Sequence, residues 1–226
     1  MAYISVDLHQ LIINLLNFTS QNNYISISSF IREYVFITRV PLKSLKNGRI
    51  LCKNIVGRGI INQNKFSQVI ELDVPGIQLT NISQMKNLKI LKSSRSLIQS
   101  DIMNLNLIEL DASFNKFIYC VNHMQNLKIL RAVGTCGIDQ NGIKDVNLIE
   151  LHAHYNPKII NVNHMKQIRK LGASGNCGIN QMGVSDIDLV VLYASDNPTI
   201  VNVNHMKSLK KLIVGVRAWI IMVLKI

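Results

Sequence analysis

Imidazole, thiol and carboxylate are the side chains of this sequence whose spacing suggests chemistry. The tetrapeptide Val-Asn-His-Met occurs at 121–124, 162–165 and 203–206, so His123, His164 and His205 recur at one fixed interval. A second imidazole pair, His152 and His154, is separated by one residue, which on a strand puts both rings on one face. A third ligand beside them could come only from Glu150, one further step along that face, or from Asp111. Three such groups are the usual donors of a zinc site, which needs its ligands about 2 Å from the ion. The four cysteines, Cys52, Cys120, Cys136 and Cys177, form no C-x-x-C pair. No GxSxG, HExxH or glycine-rich phosphate loop is present, so hydrolytic and phosphoryl-transfer chemistry lack their usual motifs.

The elements that must position these groups follow from an internal period. Segments 107–115, 148–156 and 189–197 read LIELDASFN, LIELHAHYN and LVVLYASDN, and they repeat at the interval of the histidines. Between them lie LKILRAVGT (127–135), IRKLGASGN (168–176) and LKKLIVGVR (209–217), and upstream VIELDV (69–74) and LKILKS (88–93) continue the series. Eight units of about 20 residues result, and the interval of the histidines is two alternating units. Within a unit the apolar positions run Ile118, Val121, Met124, Leu127, Leu130 and Ala132. Steps of three followed by a step of two fit neither an α-helix nor a plain strand. They fit a coil that turns a side chain inward at every bend and closes on a short strand.

These residues resemble the leucine-rich repeat family, with its pattern L-x-x-L-x-L-x-x-N-x-L, over about 69–220. The third leucine is mostly alanine here, and the Asn position holds Asn115, Asn156, Asn176 and Asn197. The pattern departs at Thr135, at Arg217 and in the first two units. The resemblance implies an α/β leucine-rich repeat solenoid with a curved parallel sheet on its concave face. Short 3₁₀ or extended backbone is expected on the convex side, because loops of about ten residues leave little room for a helix. An inward Asn would satisfy backbone groups left unpaired at each bend.

Stacking turns evenly spaced residues into columns. Strands lie about 4.8 Å apart, so histidines two units apart are separated by roughly 10 Å. They cannot share one zinc ion, and Cys136 and Cys177 cannot form a disulfide, which needs Cα atoms within about 7 Å. The VNHM histidines are therefore expected to mark the scaffold. The concave face is expected to carry Glu109, Asp111, Arg131, Glu150, His152, His154, Lys170 and Tyr193. Alternating charge over Asp73, Lys92, Asp111 and Arg131 suggests pairing down one column. The same face, rich in Arg and Tyr, is the candidate for a protein partner. No metal, cofactor, small-molecule ligand or catalytic role is expected.

The repeat is absent from residues 1–68. Leu8, Leu11 and Leu15 fall at helical spacing behind Asp7 as an N-cap, and Ile27 and Phe30 open a second amphipathic stretch. This segment, 1–40, resembles an F-box, the helical motif that docks on the Skp1-like adaptor of a ubiquitin ligase, although Val6-Asp7-Leu8 stands where a Leu-Pro opening is usual. The alternative is a helical cap over the first coil. Segment 41–68 reads as a basic linker or first irregular turn. Eight Lys and Arg between 32 and 65 face Glu33 alone, so nucleic-acid binding is a second reading of that stretch. The repeats fill 69–226, where Arg217 replaces the expected Asn and WIIMVLKI closes the sequence.

Bulk properties set the outer bounds. The chain of 226 residues is 48% hydrophobic and 6% aromatic, with a net charge of +12. It is apolar enough to build a core of Ile, Leu, Val and Met. Lys, Asn and Ile abound throughout, as in proteins of AT-rich genomes, and the repeat style resembles that of protists and large DNA viruses. No run of about 20 uncharged apolar residues occurs, so neither a membrane span nor a membrane partner is expected. Reduced thiols and a cytoplasmic setting are expected from the absence of a signal-like N-terminus.

Overall fold

The computed structural model describes residues 39–40, 70–73, 82–92 and 97–215. Their strands are β1 (Arg39–Val40), β2 (Glu71–Asp73), β3 (Ile90–Lys92), β4 (Glu109–Asp111), β5 (Ile129–Arg131), β6 (Glu150–His152), β7 (Lys170–Gly172), β8 (Val191–Tyr193) and β9 (Lys211–Ile213). They pair in chain order into one parallel sheet. The register keeps equivalent residues level, as in Leu110↔Leu130, Leu130↔Leu151 and Leu151↔Leu171. The protein is thus a parallel β-solenoid, and β1 adds a strand ahead of the eight read from the repeat.

In β4 to β8 the central Leu and the Ala two positions after it point inward. Leu110, Leu130, Leu151, Leu171 and Leu192 are fully buried, as are the alanines two positions after them. Burying one such leucine contributes about 2 kcal/mol, so the row is a large part of the core. The outer wall explains the step of three. Met124 N–H donates to Val121 C=O at 2.9 Å and Leu127 N–H to Met124 C=O at 3.0 Å, and Met165 and Ile168 repeat this. Each inward residue closes an i→i+3 turn onto the next, which is 3₁₀ geometry. Formal 3₁₀ turns occur at Ile82–Gln84, Asn141–Ile143 and Met182–Val184, with one turn of α-helix, α1, at Gln99–Ile102. The expected short 3₁₀ or extended outer side is therefore present in the described residues. The helical segment 1–40 (β1 at Arg39–Val40 apart), the basic segment 41–68 and residues 216–226 lie outside them.

The corner after the strand needs a left-handed residue. Phe114, Tyr155 and Asp196 have φ of 59°, 56° and 55°, and Gly134 and Gly175 have 68°. The aromatic and glycine corners alternate for a reason. The rings of Phe114 and Tyr155 occupy the space that a Cβ on Gly134 or Gly175 would need.

Beyond the corner, Asn115, Asn156 and Asn197 are buried. Asn156 Nδ2 donates to Ala132 C=O at 3.0 Å and Ile138 C=O at 3.1 Å, while its Oδ1 accepts Lys158 N–H at 3.0 Å. Asn197 makes the equivalent bonds to Ala173, Ile179 and Thr199. Asn176 does not belong to this row: it is exposed, and the next residue, Cys177, is buried in its place. Likewise Thr135 is exposed and Cys136 buried. In these alternate turns the chain runs one residue further before bending in. It then passes so close to the preceding turn that a Cβ on Gly137 would stand 2.5 Å from the Ile118 and Lys116 carbonyl oxygens. Cys136 and Cys177 accept the N–H groups of Ile138 and Ile179, and burial pushes both thiols up to about 11.

A second ladder stitches the outer wall. Gln99, Gln140 and Gln181 recur at the same interval as the VNHM histidines. Gln140 Nε2 donates to Asn161 C=O at 3.0 Å, and its Oε1 accepts the N–H groups of Ile160 and Asn161 at 3.0 and 2.9 Å. Gln99 and Gln181 repeat all three bonds. The histidines join the same work. His123, His164 and His205 each donate Nε2–H to the carbonyl of Ile102, Ile143 or Val184, at 3.0, 3.1 and 2.9 Å. The recurring histidine is here a clamp between consecutive coils.

Candidate functional site

All eight residues expected on the sheet's open face stand there, half-buried, on or beside strands β4 to β8. Their electrostatics differ from simple pairing down one column. Glu109 on β4 accepts from Arg131 on β5 and lies 3.9 Å from Lys92 on β3, and Lys92 is 3.8 Å from Glu71 on β2. Glutamates of the strand's first position thus bind cations of its third position on adjacent strands. Asp111 pairs with neither neighbour and instead accepts Ser113 N–H at 2.9 Å. A long cation reaches a glutamate diagonally more easily than a short aspartate directly opposite. Glu71 and Lys92 therefore join the site, a contribution that depends on side-chain reach rather than on spacing.

From β6 onward the chemistry changes. Glu150 accepts from His152 Nε2 at 2.5 Å and from Lys170 Nζ at 3.0 Å. Burial opposes ionisation of Glu150, but these two hydrogen bonds and the charges behind them hold its carboxyl below the usual range. His154 Nδ1 accepts Ser174 N–H at 3.2 Å, which fixes the acceptor nitrogen of a neutral ring. Burial first, and the charge of His152 second, lower its pKa. The His154 ring fills the space above Gly172, where a Cβ would collide with it. It meets Tyr193 edge-on, with centroids 6.2 Å apart, and His152 at 5.7 Å. Lys170 and Lys211 bracket the Tyr193 ring, their Nζ atoms 5.9 and 5.6 Å from its centroid. These distances allow cation–π attraction. Lys211 is the member that spacing alone did not single out; it pairs in register with Val191 and reaches the Tyr193 ring diagonally.

Two halves result. On β2 to β5, Glu71, Lys92, Glu109 and Arg131 form a ladder of ion pairs that leaves Asp111 outside it. The half on β6 to β9 is a cluster of two imidazoles, a phenol and two ammonium groups around one carboxylate. Among the described residues no group of three or more His, Cys, Asp or Glu is arranged to hold a metal ion. The adaptor-docking candidates Leu8, Leu11, Leu15, Ile27 and Phe30 lie outside the described residues.

Compared with models of known protein families, the chain matches none, and compared with curated proteins it likewise matches none. Among solved structures it is similar to the functional domain of InlJ from Listeria monocytogenes, described as including a cysteine ladder. Identity is 17%, the TM-score is 0.30, and the match covers 68% of this chain and 30% of that one. The chain therefore spans under a third of that relative.

Proposed function

We propose that this solenoid is a non-catalytic protein-interaction module that holds its partner on the open face of the sheet, around Arg131, His152, His154, Lys170 and Tyr193. The observation that supports this most is the β6–β9 cluster. A tyrosine ring fixed between two lysines and a histidine offers a rigid amphipathic anchor at little entropic cost, the kind of residue that dominates binding energy. In-register strands hold the cluster before the partner arrives. The test is capture of partners on the immobilised chain, followed by affinity measurement with the purified partner. An Arg131→Glu, Tyr193→Ala double variant should lose at least tenfold in affinity. Undiminished binding by a folded double variant would remove the face from consideration.

A more specific reading is a substrate-recognition adaptor of a ubiquitin ligase acting in the cytoplasm. It rests on the F-box-like pattern of Leu8, Leu11, Leu15, Ile27 and Phe30. Binding to Skp1 that disappears on Leu11→Asp supports it, and no binding leaves the general module. Nucleic-acid binding through 32–65 is separated from both by a salt-dependent affinity whose slope falls when Lys43, Lys46 and Arg49 are neutralised.

A further inference from the structure

The residue immediately before the paired segment of each strand forms a row at the sheet's leading edge. Its main-chain groups are joined continuously: Lys89 N–H donates to Ile70 C=O at 2.8 Å, Ile108 to Lys89 at 2.7 Å, and Lys128 to Ile108 at 2.9 Å. The chain of bonds continues through Ile149, Arg169 and Val190 to Lys210 at 2.8 to 2.9 Å. The row therefore spans seven strand spacings, or roughly 34 Å. Its side chains alternate strictly: Lys89, Lys128, Arg169 and Lys210 are separated by aliphatic residues. Ile70, Ile108 and Ile149 are 44%, 43% and 42% exposed, although the residues before Ile108 and Ile149 are fully buried leucines.

The cations of this row are not consumed internally. Among the described residues none of the four lies within ion-pair distance of a carboxylate, whereas Lys92, Arg131 and Lys170, on the open face, all do. Lys128 reaches only Gln167 Oε1, at 3.5 Å, and Arg169 donates to the carbonyl of Ile168. Asp188 feels the charge of Arg169 without contacting it. Lys86, Lys166 and Lys207, three positions before Lys89, Arg169 and Lys210, are exposed and add to the same edge.

We propose that this edge lies on an anionic lipid surface as a peripheral contact. A partner for the row must offer negative charge and an apolar phase, alternating about every 5 Å along a line. Nucleic acid offers phosphates but gives exposed isoleucines no apolar surface. An acidic protein segment would need matching alternation over the whole row. A lipid interface supplies both at every point without register, through anionic headgroups and the acyl boundary beneath them. No helix among the described residues is long and apolar enough to cross a membrane, and a peripheral contact requires none.

The experiment is co-sedimentation of the full chain with vesicles of phosphatidylcholine alone and with about a third phosphatidylserine, at low and physiological salt. Binding should require the anionic lipid and weaken as salt rises. Each cation removed should weaken it roughly fivefold, so Lys128→Gln with Arg169→Gln should lose about 25-fold. Ile108→Ser with Ile149→Ser should also weaken binding but leave the salt dependence intact. A Tyr193→Ala variant should bind as the parent does. Equal binding to neutral vesicles, or none to either, overturns the proposal. So does binding that persists in the Lys128→Gln, Arg169→Gln variant, which would assign it to a segment such as 32–65. Retention by polyglutamate or DNA with vesicles left unbound also overturns it.

Discussion

Replacing Asn156 by alanine tests the inner scaffold at its most constrained point. The side chain is fully buried and makes three hydrogen bonds, donating to Ala132 and Ile138 C=O and accepting from Lys158 N–H. Each bond contributes about 1 kcal/mol net, and its removal strands a backbone group inside the coil at a cost of about 1–3 kcal/mol. Relaxation of the turn recovers part of this, so a loss of about 4 kcal/mol is expected, against a total stability of about 5–15 kcal/mol for a domain. At a urea dependence of about 2 kcal/mol per molar, the unfolding midpoint moves down by roughly 2 M. The matched control is Asn176→Ala, the exposed asparagine at the same place in the repeat, which should change stability by less than about 0.5 kcal/mol. Urea titrations followed by circular dichroism, with slopes compared, give both numbers. Equal shifts in the two variants, or an Asn156→Ala loss below about 1 kcal/mol, would refute the assignment of inward asparagines to alternate turns.

Three further outcomes follow from the same structure. Gln140→Ala should speed amide exchange at Ile160 and Asn161 by at least about tenfold, because both N–H groups lose their acceptor, while Lys170 on the sheet stays protected. Cys136 and Cys177, with thiols held near 11 by burial, should resist a thiol reagent at pH 8 until the chain unfolds. Stability should fall in two stages on acidification. His154 has a folded pKa below its ordinary value of 6.5, so its contribution is complete above 6.5 and is lost as pH falls through the folded value. Glu150, also lowered, contributes above its ordinary 4.5 and loses that on further acidification. His154→Gln should flatten the first stage and Glu150→Gln the second in thermal melts across pH.

The solenoid was legible because it is written in spacing. Leucines that return once per coil, with steps of three along the wall, leave few other ways to bury every apolar residue. The open-face columns followed from strand alternation alone. Asn176 misled because buried and exposed asparagines look alike in a sequence, and the alternate turn bends inward one residue later, at Cys177. The glutamine ladder did carry a signal, three Gln residues at the period of the histidines, but polar residues on an outer wall resemble ordinary solvated positions. Ion pairing was the least legible part. Whether Arg131 meets Glu109 or Asp111 depends on side-chain length and rotamer, which no spacing encodes.

Columnar stacking is tested most directly by methyl nuclear Overhauser contacts along the leucine row in the labelled protein. Leu110, Leu130, Leu151, Leu171 and Leu192 should each contact only the leucines one strand before and after, in that order. Contacts that skip a strand, or link residues offset from this register, would dissolve the rows on which the open face, its tyrosine cluster and the basic edge all depend.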